Sequence, residues 1–123
     1  MKFILDDGGE GHPIQRYDQG EVTVSGVVYR ENSIVLPDRI ISPWRPNSFL
    51  ELSTEDFSFL AELPVEIVIL GSGNQQRFPH PGLTEPLIQR RIGLEIMSTA
   101  AACRTYNILM SEGRRVAAAL FMI

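Results

Sequence analysis

Gly71-Ser72-Gly73-Asn74 closes a run of strand-forming apolar residues, and Arg77 stands three positions further on. Glycines at a strand end let backbone N–H groups converge on an anion, and a guanidinium adds a planar, bidentate positive fork. Gly71, Ser72, Gly73, Asn74 and Arg77 are therefore candidate binding residues. The spacing departs from the nucleotide fingerprints: Gln76 stands where a dinucleotide loop needs its third glycine, and no Gly-Lys-Ser/Thr triplet occurs. A tight turn accounts for both glycines without any ligand.

Ser72 and His80 are the types of a nucleophile and its base. Leu70 and Asn74, however, occupy the glycine positions of a Gly-x-Ser-x-Gly elbow, so hydrolase chemistry is not expected. His12, His80 and Cys103 lack the paired spacing of zinc ligands, and no metal or other cofactor is expected. Cys103 neighbours Arg104, a cation that lowers a thiol pKa, but a cysteine inside a helical pattern is first a small packed side chain. No catalytic residue is expected.

The charge is unevenly spread over a net −4: residues 1–66 carry 12 acids and 5 bases, residues 67–123 carry 3 acids and 6 bases. Overall acidity and the lack of interleaved aromatics argue against nucleic acid as a partner for Arg90-Arg91, Arg104 and Arg114-Arg115. Arg90 and Arg91 are expected in a last helical turn and Arg114-Arg115 just beyond another, where cations oppose the helix dipole. Arg104 has no such reason and joins the candidate binding residues.

The elements that must position these groups follow from patterning. The 44% hydrophobic and 21% charged content of 123 residues suits one folded domain spanning residues 1–123. Val22 to Leu36, rich in β-branched residues, predicts an N-terminal antiparallel hairpin broken at Gly26 and at Glu31-Asn32-Ser33, followed by a short strand at Arg39-Ile40-Ile41. Trp44, in Pro43-Trp44-Arg45-Pro46, is an expected core anchor. Ser53 caps a short helix ending before Pro64, and Val65 to Leu70 predicts a central strand covered on both faces. Val68 and Ile69 should then point to opposite faces, with Ala118 and Leu120 sharing one face of a neighbouring strand.

Thr84-Glu85-Pro86 opens a helix predicted to reach Arg91 with Gly93 as its cap. Leu94–Met97 returns as a strand, Ser98-Thr99 caps a longer helix through Met110, and Arg115–Met122 is the last strand. Ala100 and Ala101 should allow that helix close to the sheet. On it Tyr106 points away from Arg104, so Tyr106 is expected in the core with its hydroxyl bonded, Asn107 on nearby backbone, and Arg104 outward. These C-terminal β-α-β-α-β units predict an α/β fold with a mixed central sheet.

Lys2–Leu5 is cut short by Asp6 and Asp7, too early for a secretory signal. The longest apolar run, Val116–Ile123, is far below the roughly 20 residues of a membrane-spanning helix. A single cysteine excludes an internal disulfide, so a cytoplasmic location is expected, with peripheral membrane association open and the oligomeric state undetermined.

From Gly93 to Leu120 the chain resembles the domain-of-unknown-function 498 family, most specifically at Thr99…Thr105-Tyr106-Asn107…Glu112-Gly113-Arg114. The likeness extends through Ile69-Leu70-Gly71-Ser72-Gly73, Gln76-Arg77-Phe78-Pro79 and Ile41-Ser42-Pro43-Trp44. It implies a single three-layer α/β domain. Because eukaryotic members include a mitochondrial complex I assembly factor, it also implies a non-enzymatic interaction or assembly role toward a protein partner, such as a membrane or respiratory complex. With no Arg- and Ser-rich presequence, a bacterial member is expected. The alternative is a small-molecule, anionic-ligand binder or an unrecognised enzyme using the Gly71–Arg77 loop, since strand ends in α/β sheets form ligand crevices.

Overall fold

The computed structural model describes residues 11–122, so the Lys2–Asp7 segment and Ile123 lie outside the described residues. The chain runs β1 (Ile14–Asp18), β2 (Glu21–Val24), β3 (Val27–Tyr29), β4 (Ser33–Leu36), β5 (Arg39–Ile41), α1 (Thr54–Ala61), β6 (Ile67–Gly71), α2 (Glu85–Gln89), β7 (Gly93–Met97), α3 (Thr99–Ser111) and β8 (Val116–Leu120). A five-stranded mixed sheet has the order β5-β4-β8-β6-β7, and β1-β2-β3 form a separate antiparallel sheet. The predicted α/β class and mixed central sheet are borne out.

The Val22–Leu36 hairpin is corrected in detail. Ser25 and Gly26 both take positive φ, 52° and 79°, which matches the right-handed strand twist and closes β2 onto β3. At Glu31-Asn32-Ser33 the chain does not turn back; it leaves the small sheet, and β4 joins the large one, antiparallel to β5 and β8. β1 was not foreseen, because Ile14-Gln15-Arg16-Tyr17-Asp18 has one β-branched residue and little alternation.

Alternation along β6 and β8 divides the interior into two cores. Val68, Leu70, Ala117 and Ala119 meet Phe57 and Leu60 of α1 and Leu87 of α2, while Ile69, Ala118 and Leu120 meet Ala102 and Tyr106 of α3 and Val22 and Val24 of the small sheet. The β6-α2-β7 crossover steps to the sheet edge, and β7-α3-β8 steps back past β6. Two crossovers of one hand running in opposite directions must put their helices on opposite faces, as observed. Val68 and Ile69 are both fully buried, as predicted, but the middle of the five strands is β8.

Helix ends fell where capping chemistry put them, with one correction. Ser53 and Asp56 form a reciprocal capping box on α1. α2 stops at Gln89 rather than Arg91: Arg91 itself takes φ +58°, and Gly93 is not a cap but the first residue of β7, donating its N–H to Glu66 O at 3.0 Å. Arg90 therefore serves a different helix, reaching the carbonyl of Ala61 at the end of α1 at 3.3 Å. On α3 the close approach is made by Thr99, not by Ala100 or Ala101, since a Cβ on Gly71 would lie 3.0 Å from Thr99 Cα.

Candidate functional site

The loop after β6 carries Ser72, Gly73 and Asn74 behind Gly71, the last residue of the strand, and an anion cradle and a plain tight turn are its two readings. Its central N–H groups are spent within the chain: Ser72 donates to Met97 O at 2.9 Å and Gly73 to Thr99 Oγ1 at 2.8 Å. The Ser72 hydroxyl donates to Gln75 O at 2.6 Å and accepts from Arg77 N at 3.0 Å. Ser72 is also buried, and the His80 ring accepts from Gly82 N at 3.0 Å, so the two share no hydrogen bond. The loop's polar groups fold it around Ser72 and thereby set the position of Arg77.

Arg77 lies over the ring of Phe49, its guanidinium carbon 4.6 Å from the ring centroid. Phe49, from a single helical turn at Phe49–Glu51, packs edge-on to Phe121 at 5.7 Å, and Trp44 meets Phe121 at 5.3 Å with its ring tilted by 50°. Arg77 and these three rings border a cleft of about 430 Å³ at the carboxyl ends of β6 and β8, with Arg30 and Asn32 at its wall. A polar rim over an apolar floor at parallel strand ends is the usual setting for ligands in α/β sheets. Asn74 and the glycines are not among its lining residues.

Two residues hold this cleft together that patterning had read only as a break and a cap. Asn32 donates from Nδ2 to Pro46 O at 2.9 Å, accepts Met122 N on Oδ1 at 2.9 Å, and accepts Trp44 N on its backbone oxygen at 2.6 Å. Thr99, fully buried, donates its hydroxyl to Phe121 O while accepting from Gly73 N. The loop, the Trp44 segment and the end of β8 are thus tied to one another. An asparagine or threonine next to a strand end is a faint signal, because neither partner is near in sequence.

Arg104 is elsewhere. It borders a smaller hollow of about 300 Å³ between α3 and β1, with Arg16, Tyr17 and Asn107, which shares no lining residue with the first. The structure therefore separates Arg104 from Arg77. Its neighbours follow expectation. Tyr106 is buried with its hydroxyl donating to His12 O at 3.1 Å, and Asn107 brackets Ile14, accepting its N–H and donating to its carbonyl, both at 2.8 Å. Cys103 is packed and its thiol is pushed up to about 12 by burial, a shift that Arg104 only partly opposes.

The carboxylates with displaced pKa brace the framework. Burial alone would raise the Asp56 carboxyl, but hydrogen bonds from Arg45 and Ser53 hold it below the ordinary range. Glu66 is held low by the Arg115 N–H first and by the Arg114 side chain next. Among the described residues no three His, Cys, Asp or Glu side chains gather as a metal site would require.

A profile of the family described as "Protein of unknown function (DUF498/DUF598)" matches residues 14–121, which hold every strand and helix above, the hollow beside Arg104, and all of the cleft lining but Met122. The chain belongs to this family. The family resemblance drawn from Gly93–Leu120 and its upstream motifs is thereby borne out. A mouse relative, named NADH dehydrogenase (ubiquinone) 1 alpha subcomplex assembly factor 3, is 33% identical over 109 residues, 87% of this chain and 58% of its own length. The chain thus spans little more than half of that relative. A Rhodobacter capsulatus relative, named only as an uncharacterized protein, is 34% identical over 88% of this chain and 82% of its own. The crystal structure of a Bordetella parapertussis protein superimposes with a TM-score of 0.86 at 29% identity, covering 95% of this chain and all of that one.

Proposed function

We propose that this chain is a non-enzymatic interaction module that assists the assembly of a larger protein complex, of the membrane or respiratory kind. The observation that carries this is the 33% identity, over 87% of the chain, to a protein named as a complex assembly factor. Physical support comes from how the reactive groups are used. Asp56 and Glu66 are tied to arginines, and Tyr106 is buried with its hydroxyl bonded. Tyr17 and Cys103 do share the hollow beside Arg104, but burial raises the phenol and the thiol alike, away from the range in which a base or nucleophile works near neutral pH. Further support comes from Leu50 and Phe78, 82% and 66% exposed, which adjoin the cleft residues Phe49 and Arg77 in sequence and offer apolar contact to a partner.

Among the described residues no helix is long and apolar enough to cross a membrane, so engagement with a membrane complex would be through its exposed subunits. A cytoplasmic place of action belongs to the same proposal and is checked by cell fractionation. The test of function is affinity capture of the tagged full chain from its host under gentle extraction. Subunits of one complex should be enriched, and the enrichment should fall several-fold for a Leu50→Ser, Phe78→Ser double variant that folds normally. Capture of no specific partner, or capture indifferent to that variant, would overturn the reading or its surface, respectively.

A further inference from the structure

The cleft bordered by Arg77 has a chemistry of its own, apart from any protein partner. Its floor is built from the mutually inclined rings of Trp44, Phe49 and Phe121, of which Phe49 is the most exposed, and its volume of about 430 Å³ is that of a small-molecule site. Its two guanidiniums differ in what they have left to offer. Arg30 is braced by Glu21 through Nε at 3.1 Å, which leaves its terminal nitrogens uncommitted in that pair. Arg77 has no carboxylate within ion-pair distance among the described residues; it is oriented by the Phe49 ring and by its own N–H on Ser72. A cation already stacked on a ring loses little freedom when it takes an anion.

The charge of the ligand follows from what surrounds that cation. A dianionic phosphate usually draws on converging backbone N–H groups, and here those of Ser72 and Gly73 are consumed inside the chain. Glu31 at the wall adds a further charge against a dianion. We propose that the cleft binds a carboxylate carried on a small apolar group, with the carboxylate on Arg77 and the apolar body against Phe49 and the edges of Trp44 and Phe121. A free acid and a chain end both present this same group to Arg77.

Trp44 is the one tryptophan of the sequence and lines the cleft, so its emission reports on occupancy. Titrations of the full chain use phenylacetate, its neutral isostere phenylacetamide, phenyl phosphate, and a pentaglycyl-phenylalanine peptide with a free carboxylate. Phenylacetate should change Trp44 emission saturably, with phenylacetamide and phenyl phosphate each binding at least tenfold more weakly. Tighter binding of the peptide would assign the carboxylate to a chain end, and tighter binding of phenylacetate to a free acid. Arg77→Ala should weaken phenylacetate at least tenfold, and Arg77→Lys should restore only part of it, because an ammonium keeps the charge but not the planar fork. Phe49→Leu, which keeps the charge of Arg77 but removes the ring that orients it, should weaken it too. Equal binding of phenylacetate and phenylacetamide, tighter binding of phenyl phosphate, or no saturable change with any probe would overturn the proposal. Partner capture is read separately, so either reading can fail while the other stands.

Discussion

Asn107→Ala is the substitution whose cost can be worked most directly from the structure. The side chain makes two hydrogen bonds of 2.8 Å to the N–H and carbonyl of Ile14, joining α3 to β1 across 93 residues of sequence. Each such bond nets roughly 1 kcal/mol, and a backbone group left unpaired in a buried place costs about 1–3 kcal/mol. Ile14 is buried but the bonds are only partly so, and water can recover some of the loss. The expected cost is therefore about 2–3 kcal/mol, the lower part of the range for two groups. At roughly 3–5 °C per kcal/mol for a domain of this size, Tm should fall by about 6–15 °C. Urea unfolding gives the free energy, and hydrogen exchange at the Ile14 amide shows where it was lost. Asn107→Asp keeps the acceptor for Ile14 N–H but turns the donor into a second acceptor facing a carbonyl. That raises the carboxyl's folded pKa above its unfolded value of about 3.9, so the variant should regain stability as pH falls and the group donates again. Arg104→Ala, one helical turn away and exposed, should stay within about 0.5 kcal/mol of the parent. The reasoning is refuted if Asn107→Ala costs no more than Arg104→Ala while Ile14 exchange is unchanged.

Gly71→Ala places a Cβ about 3.0 Å from both Thr99 Cα and Leu120 Cδ2, a contact with fixed backbone that should cost roughly 1–3 kcal/mol by urea unfolding. Asp56, whose folded pKa is lowered, contributes stability that is present above its unfolded value of about 3.9 and is lost as pH falls through the folded one. The stability gap between the parent and Asp56→Asn should therefore shrink below about pH 4, and a gap unchanged between pH 7 and pH 3 would contradict it. Cys103, buried with its thiol raised to about 12, should resist a disulfide reagent at pH 8 in the folded chain and react at once in urea. Rapid labelling of the native chain would show that α3 opens from β1 far more easily than its packing implies.

How much of this was legible depended on whether the signal was local. Val68, Ile69, Ala118 and Leu120 were placed because burial on a strand has period two, and the Ser53 cap because it directly precedes the helix it opens. Trp44 and Tyr106 followed from size and apolarity. The split of Val22–Leu36 between two sheets was not legible, because propensity says that a strand forms and is silent about which sheet receives it. Gly93 was misassigned because a glycine after a helix is so often its cap; here the left-handed conformation fell on Arg91, and Gly93 lies against Ile67 at the start of β7. The two readings of the glycine loop, cradle or tight turn, stayed open for a related reason. Its sequence shows that N–H groups can converge, but whether they remain available depends on Met97 and Thr99, more than 20 residues away.

The same distance explains why the cleft is tied to the whole domain. Its aromatic floor includes Phe121, just past the end of β8, and Phe121 is held by Thr99 at the start of α3 and by Gly71 at the end of β6. Asn32 joins Met122 to the Trp44 segment across 90 residues. Each tether is a side-chain or backbone bond between elements that meet only when the large sheet is complete, so the cleft is not the property of one loop. Displacing the end of β8 removes Phe121 from both Trp44 and Phe49, and with Phe49 unsupported Arg77 loses the ring that orients it. A ligand held on Arg77 and that floor would bind the folded state alone and stabilise β8 by mass action, linking occupancy to the strand at the centre of the fold.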